Sequence, residues 1–259
     1  INLKNKTARV FGGSKGIGRA IAIQLSKSGA NILLISRNKT DLIKTIEALD
    51  VKYGQNHDFV SVDMSNIALL KKTLQNYINL NSVDIVINNS GGPVGGPAHT
   101  AEVDEYLSAF NQHVLSAQII NQLVLPIMKR KQFGRIINII STSVKQPIEG
   151  LGVSNTIRGA MANWSKTLSV ELGQFGITVN NILPGATKTE RLIQLIQNKA
   201  SKNSLSTELV AETMKKNIPA GRFADPDEVA YIVVFLCSGF ANYINGVNIP
   251  VDGGRTKSL

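Results

Sequence analysis

The sequence predicts an α/β fold in which a doubly wound parallel sheet of seven strands lies between two layers of helices. Short runs rich in β-branched residues alternate with longer segments of helical periodicity, and this alternation is typical of βαβ units. Two of the short runs, 31–36 and 135–140, are apolar on both faces. A strand has this pattern when helices cover both sides of its sheet.

The positions of the apolar runs predict the individual elements. We expect strands over 7–11, 31–36, 58–62, 83–88, 135–140, 177–182 and 246–250. A helix begins near Gly16 and ends at Gly29, which suits the left-handed position just beyond a helix. Another helix begins at Asp225, where Pro226 takes the first turn and Glu228 completes a capping box.

Length and composition predict one soluble domain over residues 1–259. Hydrophobic residues make up 43% and charged residues 18%, which is the balance of a globular protein. We expect no membrane partner, because no apolar run is long enough to cross a bilayer, and no secretory signal at the polar, basic start. The single cysteine, Cys237, lies in an apolar run. No internal disulfide can form, and a reducing cytoplasm is the expected location.

The formal net charge of +10 raises the question of a phosphate-rich partner. The 28 Lys and Arg residues are scattered, however, and the longest basic run is only Lys129-Arg130-Lys131. No zinc-finger or RNA-binding motif accompanies them. We therefore interpret the basic residues as a solvated surface, and expect neither a nucleic-acid partner nor a metal site.

A glycine-rich turn follows the first predicted strand and precedes a helix. Its residues are Gly12-Gly13-Ser14-Lys15-Gly16-Ile17-Gly18. Glycines at 12, 16 and 18 permit a tight turn and a close approach of the backbone, so that the helix N-terminus can present N–H groups to a pyrophosphate. The order of strand, turn, helix and second strand favours a dinucleotide site over a merely structural turn.

The second predicted strand ends in Ser36-Arg37-Asn38, where proteins that bind NAD(H) usually carry a carboxylate for the ribose hydroxyls. Here the hydroxyl of Ser36 and the cation of Arg37 take the place of that carboxylate, and Lys15 in the glycine turn adds a second cation. This set matches a 2′-phosphate and predicts NADP(H) in preference to NAD(H). The alternative is that Arg37 and Lys15 are exposed basic residues without a ligand.

Polar residues also follow the other predicted strands. Asp63 and Met64 follow the third strand, Asn88-Asn89-Ser90-Gly91 the fourth, Ser141 the fifth and Pro184-Gly185 the sixth. In open α/β sheets, ligands bind at the carboxyl ends of the strands. Each segment alone reads as a turn, but their joint order predicts one ligand site along this edge.

Together these segments resemble the short-chain dehydrogenase/reductase (SDR) family, and most closely its 3-oxoacyl-(acyl carrier protein) reductases. The resemblance covers nearly the whole chain. The glycine turn is similar to the family's TGxxxGIG, with Phe11 in place of Thr, and Asn88-Asn89-Ser90-Gly91 is similar to its NNAG. Pro184-Gly185-Ala186-Thr187-Lys188-Thr189 resembles the PGxxxT stretch that contacts the nicotinamide half of the cofactor. A Rossmann-type fold is implied.

The resemblance and the strand-end pattern together imply which residues contact the cofactor. The expected set is Gly12, Ser14, Lys15, Gly16, Ile17, Gly18, Ser36, Arg37, Asp63, Met64, Asn89, Ser90, Gly91, Arg158, Pro184, Gly185, Thr187 and Thr189.

The same resemblance shows that the family's catalytic residues are largely replaced. Ser141 stands at the position of the catalytic serine, but the YxxxK pair falls on Ser154 and Arg158. The family's structural asparagine falls on His113. An aliphatic hydroxyl is a much weaker acid than a phenol, and an arginine stays protonated, so Ser154 and Arg158 retain polarity and charge but not acid chemistry.

His113 has two interpretations. An imidazole titrates near neutral pH and suits a proton donor, whereas a histidine in an otherwise apolar helix is more often a hydrogen-bonded core residue. Ser141 and Ser154 likewise either bind a substrate oxygen or merely end a strand and cap a helix.

Two functions therefore compete. The leading prediction is an NADP(H)-dependent oxidoreductase that interconverts a small-molecule carbonyl and a secondary alcohol with an altered catalytic site. The alternative is a cofactor-binding protein that has lost dehydrogenase activity and acts as a sensor or an assembly subunit. The polar segment 190–221 is either a substrate lid or a plain surface insertion. The family resemblance implies a homotetramer or homodimer.

Overall fold

The computed structural model describes residues 1–77 and 83–258. The strands are β1 (Thr7–Phe11), β2 (Asn31–Ser36), β3 (Asp58–Ser61), β4 (Ile85–Asn88), β5 (Gly134–Ile139), β6 (Ile177–Pro184) and β7 (Asn248–Val251). They form one sheet in the order β3-β2-β1-β4-β5-β6-β7, and every neighbouring pair is parallel. The predicted doubly wound α/β fold is confirmed.

The helices in the described part of the chain connect these strands. They are α1 (Gly16–Lys27), α2 (Lys39–Ile46), α3 (Ile67–Tyr77), α4 (Val103–Phe110), α5 (Ser116–Lys131), α6 (Gly152–Leu172), α7 (Glu190–Asn203), α8 (Thr207–Lys216) and α9 (Pro226–Cys237). A π-helical turn, Asn111–Leu115, joins α4 to α5. None of the described helices combines the length and apolar character that crossing a bilayer requires.

Apolar side chains cover both faces of the sheet, as the continuous apolar runs predict. Ile137 of β5 packs into the cluster that contains α1 and α9, whereas its neighbour Ile136 packs into the cluster that contains α3, α5 and α6. Successive residues of a strand point to opposite faces, so a strand covered by helices on both sides carries apolar residues on both faces. This is the physical origin of the three-layer architecture.

The ends of two helices follow the sequence signals. Gly29 has a φ of +99° just beyond α1, a conformation that favours glycine. At the start of α9, the backbone N–H of Asp225 donates to Oε2 of Glu228 over 2.8 Å, which is one half of the expected capping box.

The chain order of the sheet reverses between β1 and β4. Strand β1 is followed by β2 and β3 on one side, and the chain then crosses to β4 on the other side. The connections that leave the carboxyl ends of β1 and β4 therefore run to opposite sides of the sheet, and a crevice lies between them. The glycine turn leaves β1 at this point and Asn89 leaves β4, so the fold brings both to the position where open α/β sheets bind ligands.

Candidate active site

A cleft of about 560 Å³ opens at the carboxyl edge of the sheet. It brings together nearly every site residue that the sequence predicts. Those that line it are Gly12, Ser14, Lys15, Gly16, Ile17, Ser36, Arg37, Asp63, Met64, Asn89, Ser90, Gly91, Ser141, Ser154, Arg158, Pro184, Gly185, Thr187 and Thr189. Gly18 and His113 are not part of this lining.

The glycine turn forms the floor at one end of the cleft. A Cβ on Gly12 would lie 2.4 Å from the carbonyl oxygen of Asn89, so only glycine lets the β1 and β4 ends approach this closely. A Cβ on Gly18 would lie 2.1 Å from the carbonyl oxygen of Gly12. Gly18 therefore packs the helix against the turn from behind the cleft wall, rather than facing a ligand.

The N-terminus of α1 faces the cleft without a side-chain cap. Lys15 occupies the N-cap position, and its side chain makes no capping hydrogen bond. The N–H groups of a first helical turn have no partner inside the helix, and they carry the positive end of the helix dipole. Gly16 and Ile17, the first residues of this turn, both line the cleft. An anionic group can be bound here by the backbone alone.

The basic corner beyond the glycine turn contains acidic partners that the sequence did not predict. Nζ of Lys15 lies 3.4 Å from Asp41 and 3.2 Å from Glu190, and hydrogen bonds to these two carboxylates raise the pKa of Lys15. Arg37 lies 3.6 Å from Asp63. An anionic ligand at this corner would have to compete with these carboxylates for the two cations.

Ser14 and Ser36 meet at the same corner. Their hydroxyl oxygens are 2.9 Å apart, which joins the glycine turn to the end of β2. The corner thus holds two hydroxyls and two cations within one part of the cleft.

Helix α6 presents Ser154 and Arg158 to the same cleft, which Ser141 also lines. Residues four positions apart lie on one face of a helix, so both side chains point toward the same space. Ser141 follows β5 and accepts a hydrogen bond of 3.1 Å from the backbone N–H of Ser143. Arg158 donates from Nη1 to the carbonyl oxygen of Ile139 over 3.2 Å.

Arg158 keeps its charge although only 6% of its surface is exposed. Burial, and to a smaller extent the charge of Arg191, lowers its pKa to about 10. The guanidinium is therefore protonated at neutral pH. It supplies a fixed positive charge beside the two serines and cannot act there as an acid.

His113 has the surroundings of a hydrogen-bonded core residue. It belongs to the π-helical turn between α4 and α5, is 4% exposed, and its Nδ1 lies 2.6 Å from the hydroxyl oxygen of Ser90. Burial, followed by the charge of Arg158, lowers the pKa of His113 to about 2. The imidazole is neutral at physiological pH, and this favours the core interpretation over the proton-donor hypothesis.

Helix α7 adds residues that sequence reasoning missed. Arg191, Leu192, Gln194 and Leu195 line the cleft, and Gln112 reaches it from the π-helical turn. Nη2 of Arg191 donates to the carbonyl oxygen of Pro93 over 2.7 Å. The sequence position of Arg191 could have indicated that it lies at the cleft. It is in the first helical turn after Thr189, the last residue of the PGxxxT-like stretch.

The first part of segment 190–221 thus forms a wall of the cleft. The segment folds as α7 and α8, and Leu192 is buried against Ile218 and Phe223.

A doubly wound parallel sheet with a glycine turn at its switch point defines the class of Rossmann-type α/β proteins. The family model described as enoyl-(acyl carrier protein) reductase matches residues 12–256. The chain belongs to the short-chain dehydrogenase/reductase family and is 3-oxoacyl-(acyl carrier protein)-reductase-like. As a member of this family it is of the oxidoreductase class.

Relatives match the chain over its length. The NADPH-dependent reductase BacG of Bacillus subtilis is 30% identical over 259 residues, which cover 99% of this chain and 100% of the relative. The 3-oxoacyl-(acyl carrier protein) reductase FabG of Aquifex aeolicus is 28% identical over 98% of both chains. The structure of L-sorbose reductase from Gluconobacter frateurii, complexed with NADPH and L-sorbose, superposes with a TM-score of 0.91 at 29% identity, covering 100% of this chain and 99% of that one.

Proposed function

We propose that the protein is an NADP(H)-dependent oxidoreductase that interconverts a small carbonyl compound and a secondary alcohol. The observation that carries this proposal is the convergence of the glycine turn, Ser141, Ser154 and Arg158 on a single cleft. The relatives support it, since one is named an NADPH-dependent reductase and another is a sugar reductase complexed with NADPH.

The residues of the cleft fit the phosphate groups of NADP(H). The uncapped N-terminus of α1 suits the pyrophosphate, because the N–H groups of a first helical turn have no partner inside the helix and Gly16 and Ile17 line the cleft. Lys15, Ser36 and Arg37 suit the 2′-phosphate, which would exchange the present carboxylate partners of the two cations for a group of higher charge.

The remaining cofactor contacts extend along the strand ends. Asp63 and Met64 would lie beside the adenine half, and the nicotinamide half would contact Asn89, Ser90, Gly91, Arg158, Pro184, Gly185, Thr187 and Thr189. When bound, the cofactor supplies or accepts the hydride.

The chain's own residues orient the substrate and stabilise charge. The hydroxyls of Ser141 and Ser154 donate hydrogen bonds to the substrate oxygen, and the cation of Arg158 stabilises the negative charge that this oxygen acquires during reduction. The proton comes from water in the open cleft, because the serines are weak acids and Arg158 and neutral His113 do not give up protons near pH 7. Leu192 and Leu195 of α7 would cover the substrate as part of a lid.

A cofactor titration combined with a turnover assay tests this function. The protein is titrated with NADPH by fluorescence, and NADPH oxidation is followed with a panel of ketones, keto sugars and oxo acids. Binding with turnover is the expected result. Binding without any turnover would instead favour the cofactor-binding protein that has lost dehydrogenase activity.

A single substitution tests the preference for NADPH over NADH. Arg37→Asp removes one cation and places a second carboxylate next to Asp63, so we expect it to reverse the preference from NADPH to NADH. A charge-assisted contact contributes about 1.5 to 3 kcal/mol, which corresponds to about 10- to 150-fold in affinity. Arg130→Asp is the control, since Arg130 lies in the last turn of α5, at the opposite edge of the sheet. Equal affinity of the wild-type protein for both cofactors would contradict the proposal.

A further inference from the structure

Two guanidinium groups point at the same spot in the cleft, beside Gly92. A methyl group built at Gly92 would lie 3.7 Å from Nη2 of Arg191 and 4.0 Å from Nη2 of Arg158. All three residues line the cleft. The two arginines arrive from different elements, α7 and α6, and the missing side chain of Gly92 leaves the space between them open.

Neither of these arginines has an acidic partner among the residues that the structure describes. No carboxylate forms a salt bridge with Arg158 or Arg191 within residues 1–77 and 83–258, whereas Lys15 and Arg37, the other cations of the cleft, each do. The partners that they do have are the carbonyl oxygens of Ile139 and Pro93. These neutral contacts leave two positive charges uncompensated.

Arg158 also has an unsatisfied donor. Its Nε is buried and makes no hydrogen bond in the structure. The repulsion by Arg191 contributes to the lowered pKa of Arg158, so the two charges interact. A buried cation that faces a second cation is costly unless an anion joins them. Two guanidiniums that face one spot and have no carboxylate partner among the described residues are the arrangement of an anion-binding site.

We propose that Arg191, together with Arg158, binds a carboxylate group of the substrate, so that the substrates of the reductase proposed above are small oxo acids. A guanidinium matches a carboxylate through two parallel hydrogen bonds, and two guanidiniums match its charge more than fully. Arg158 lies one helical turn from Ser154, which places the carboxylate next to the carbonyl that the serines hold. The carboxylate is bound and is not transformed.

The pyrophosphate of the cofactor is the other possible source of an anion at this position. The glycine turn and the N-terminus of α1 already offer the pyrophosphate a site of their own, whereas Arg191 shares the spot beside Gly92 with Arg158 of α6. The substrate carboxylate is therefore the better match for Arg191, and the experiment below separates the two sources.

The first arm measures equilibrium binding, which does not require turnover. The protein saturated with NADP⁺ is titrated calorimetrically with oxamate and with oxamide, which differ in the carboxylate. We expect oxamate to bind at least about tenfold more tightly than oxamide. Arg191→Gln should weaken oxamate binding about 10- to 100-fold, and Arg191→Lys, which keeps the charge, should recover part of the loss.

The second arm separates the substrate from the cofactor. Arg191→Gln should leave the Kd for NADPH within about twofold of the wild-type value, and Arg130→Gln, the same change at the opposite edge of the sheet, should alter neither ligand. Equal binding of oxamate and oxamide would overturn the proposal. A loss of NADPH affinity in Arg191→Gln as large as the loss of oxamate affinity would overturn it too, because Arg191 would then hold the cofactor.

The third arm compares acetoacetate with methyl acetoacetate as substrates. We expect kcat/KM to favour the acid in the wild-type protein, and Arg191→Gln to abolish this preference while it still reduces the ester. Turnover of both compounds at equal efficiency would contradict the carboxylate site but not the proposed reductase. Absence of turnover with either compound would contradict the proposed reductase, and the oxamate titration would still decide whether the carboxylate site exists.

Discussion

In the proposed reductase, Ser154 and Arg158 would divide two tasks that the tyrosine and lysine pair of the family combines. The serine retains a hydroxyl that can bind an oxygen atom, and the arginine retains a positive charge close to it. Neither group releases a proton near neutral pH. The proposed site therefore binds and polarises its substrate, while the proton transfer is left to solvent.

This separation predicts unequal effects of two substitutions. Ser154→Ala removes one neutral hydrogen bond to the substrate oxygen, so we expect kcat/KM to fall by about tenfold or less. Arg158→Ala removes a buried charge that faces both substrate and cofactor, and we expect it to lower kcat/KM by about 100-fold or more and to weaken NADPH binding. Steady-state kinetics and NADPH titration measure both effects.

One result would contradict this division of roles. A Ser154→Ala protein that folds and binds NADPH but has lost all turnover would mean that Ser154 performs proton chemistry. Ser154→Thr is the matched control, because it keeps the hydroxyl and should retain most of the activity.

The buried imidazole of His113 predicts a pH dependence of stability rather than of rate. Its pKa is about 2 in the fold and returns to about 6.5 on unfolding. Between these values the unfolded chain binds the extra proton, so the contribution to stability is complete above about pH 6.5 and decreases as the pH falls. Replacement by Asn should make the loss of stability between pH 7 and 5 smaller by up to about 2 kcal/mol.

Urea unfolding of wild-type and His113→Asn protein at both pH values measures this difference. His57 and His99 are present in both proteins, so their contributions cancel. The rate profile of the wild-type protein should show no inflection from His113 between pH 5 and 8. An inflection that disappears in His113→Asn would make His113 a proton donor after all.

The residues of the site differ in how far sequence alone could predict them. The glycine turn, Asn89 and Ser141 stand directly at strand ends, so a local pattern locates them. The acidic partners of Lys15 come from α2 and α7, and Arg191 contacts Pro93 across 98 positions of the chain. Contacts of this kind form only when helices and strands that are distant in sequence pack together, so no local sequence pattern predicts them.

At the scale of elements, the apolar runs predict the central strands well because β1, β2, β4, β5 and β6 are buried on both faces. The residues at which a strand begins and ends depend instead on backbone conformation and on hydrogen bonds to side chains. β7 begins at Asn248 instead of the predicted 246, since Gly246 has a φ of +72° and the N–H of Val247 bonds to the side chain of Asn180. The side chain of Asn180 therefore accepts the hydrogen bond that the N–H of Val247 would donate to the neighbouring strand if β7 were longer.

The start of α9 predicts a stability change that is independent of the site. Asp225 caps this helix, and it also forms a salt bridge of 2.9 Å to Lys188 in which both side chains are more than half exposed. Asp225→Ala should lower the free energy of unfolding by about 0.5 to 2 kcal/mol, because the helix loses its cap. Asp225→Asn keeps the cap and loses only the exposed ion pair, so its effect should be smaller.

Thermal unfolding of the two variants tests this assignment. For a chain of this size a loss of 1 kcal/mol corresponds to about 2 to 4 °C in Tm. Equal losses in Asp225→Ala and Asp225→Asn would assign the stabilisation to the ion pair with Lys188 instead of the cap.

At the scale of the whole molecule, the sheet ends at β7, and large apolar side chains are exposed on α9 and in the chain between α9 and β7. Phe240 is 80% exposed, and Tyr243 and Tyr231 are exposed as well. An open strand edge with large apolar side chains beside it favours association with another chain, and symmetric homo-oligomers provide a closed way to cover it. The homotetramer or homodimer that the family resemblance implies would bury this surface.

We therefore predict that light scattering at micromolar concentration detects a particle of at least twice the 27.9 kDa chain mass. A charge in place of Phe240 and Tyr243 should weaken association, because it would have to be buried in the interface. The double variant Phe240→Glu, Tyr243→Glu is thus expected to give a smaller particle that remains folded. Tyr53→Glu is the control, since Tyr53 is also exposed but precedes β3, at the other end of the sheet. A wild-type protein that stays at the mass of one chain would rule out the oligomer, and a double variant of unchanged size would place the interface on another surface.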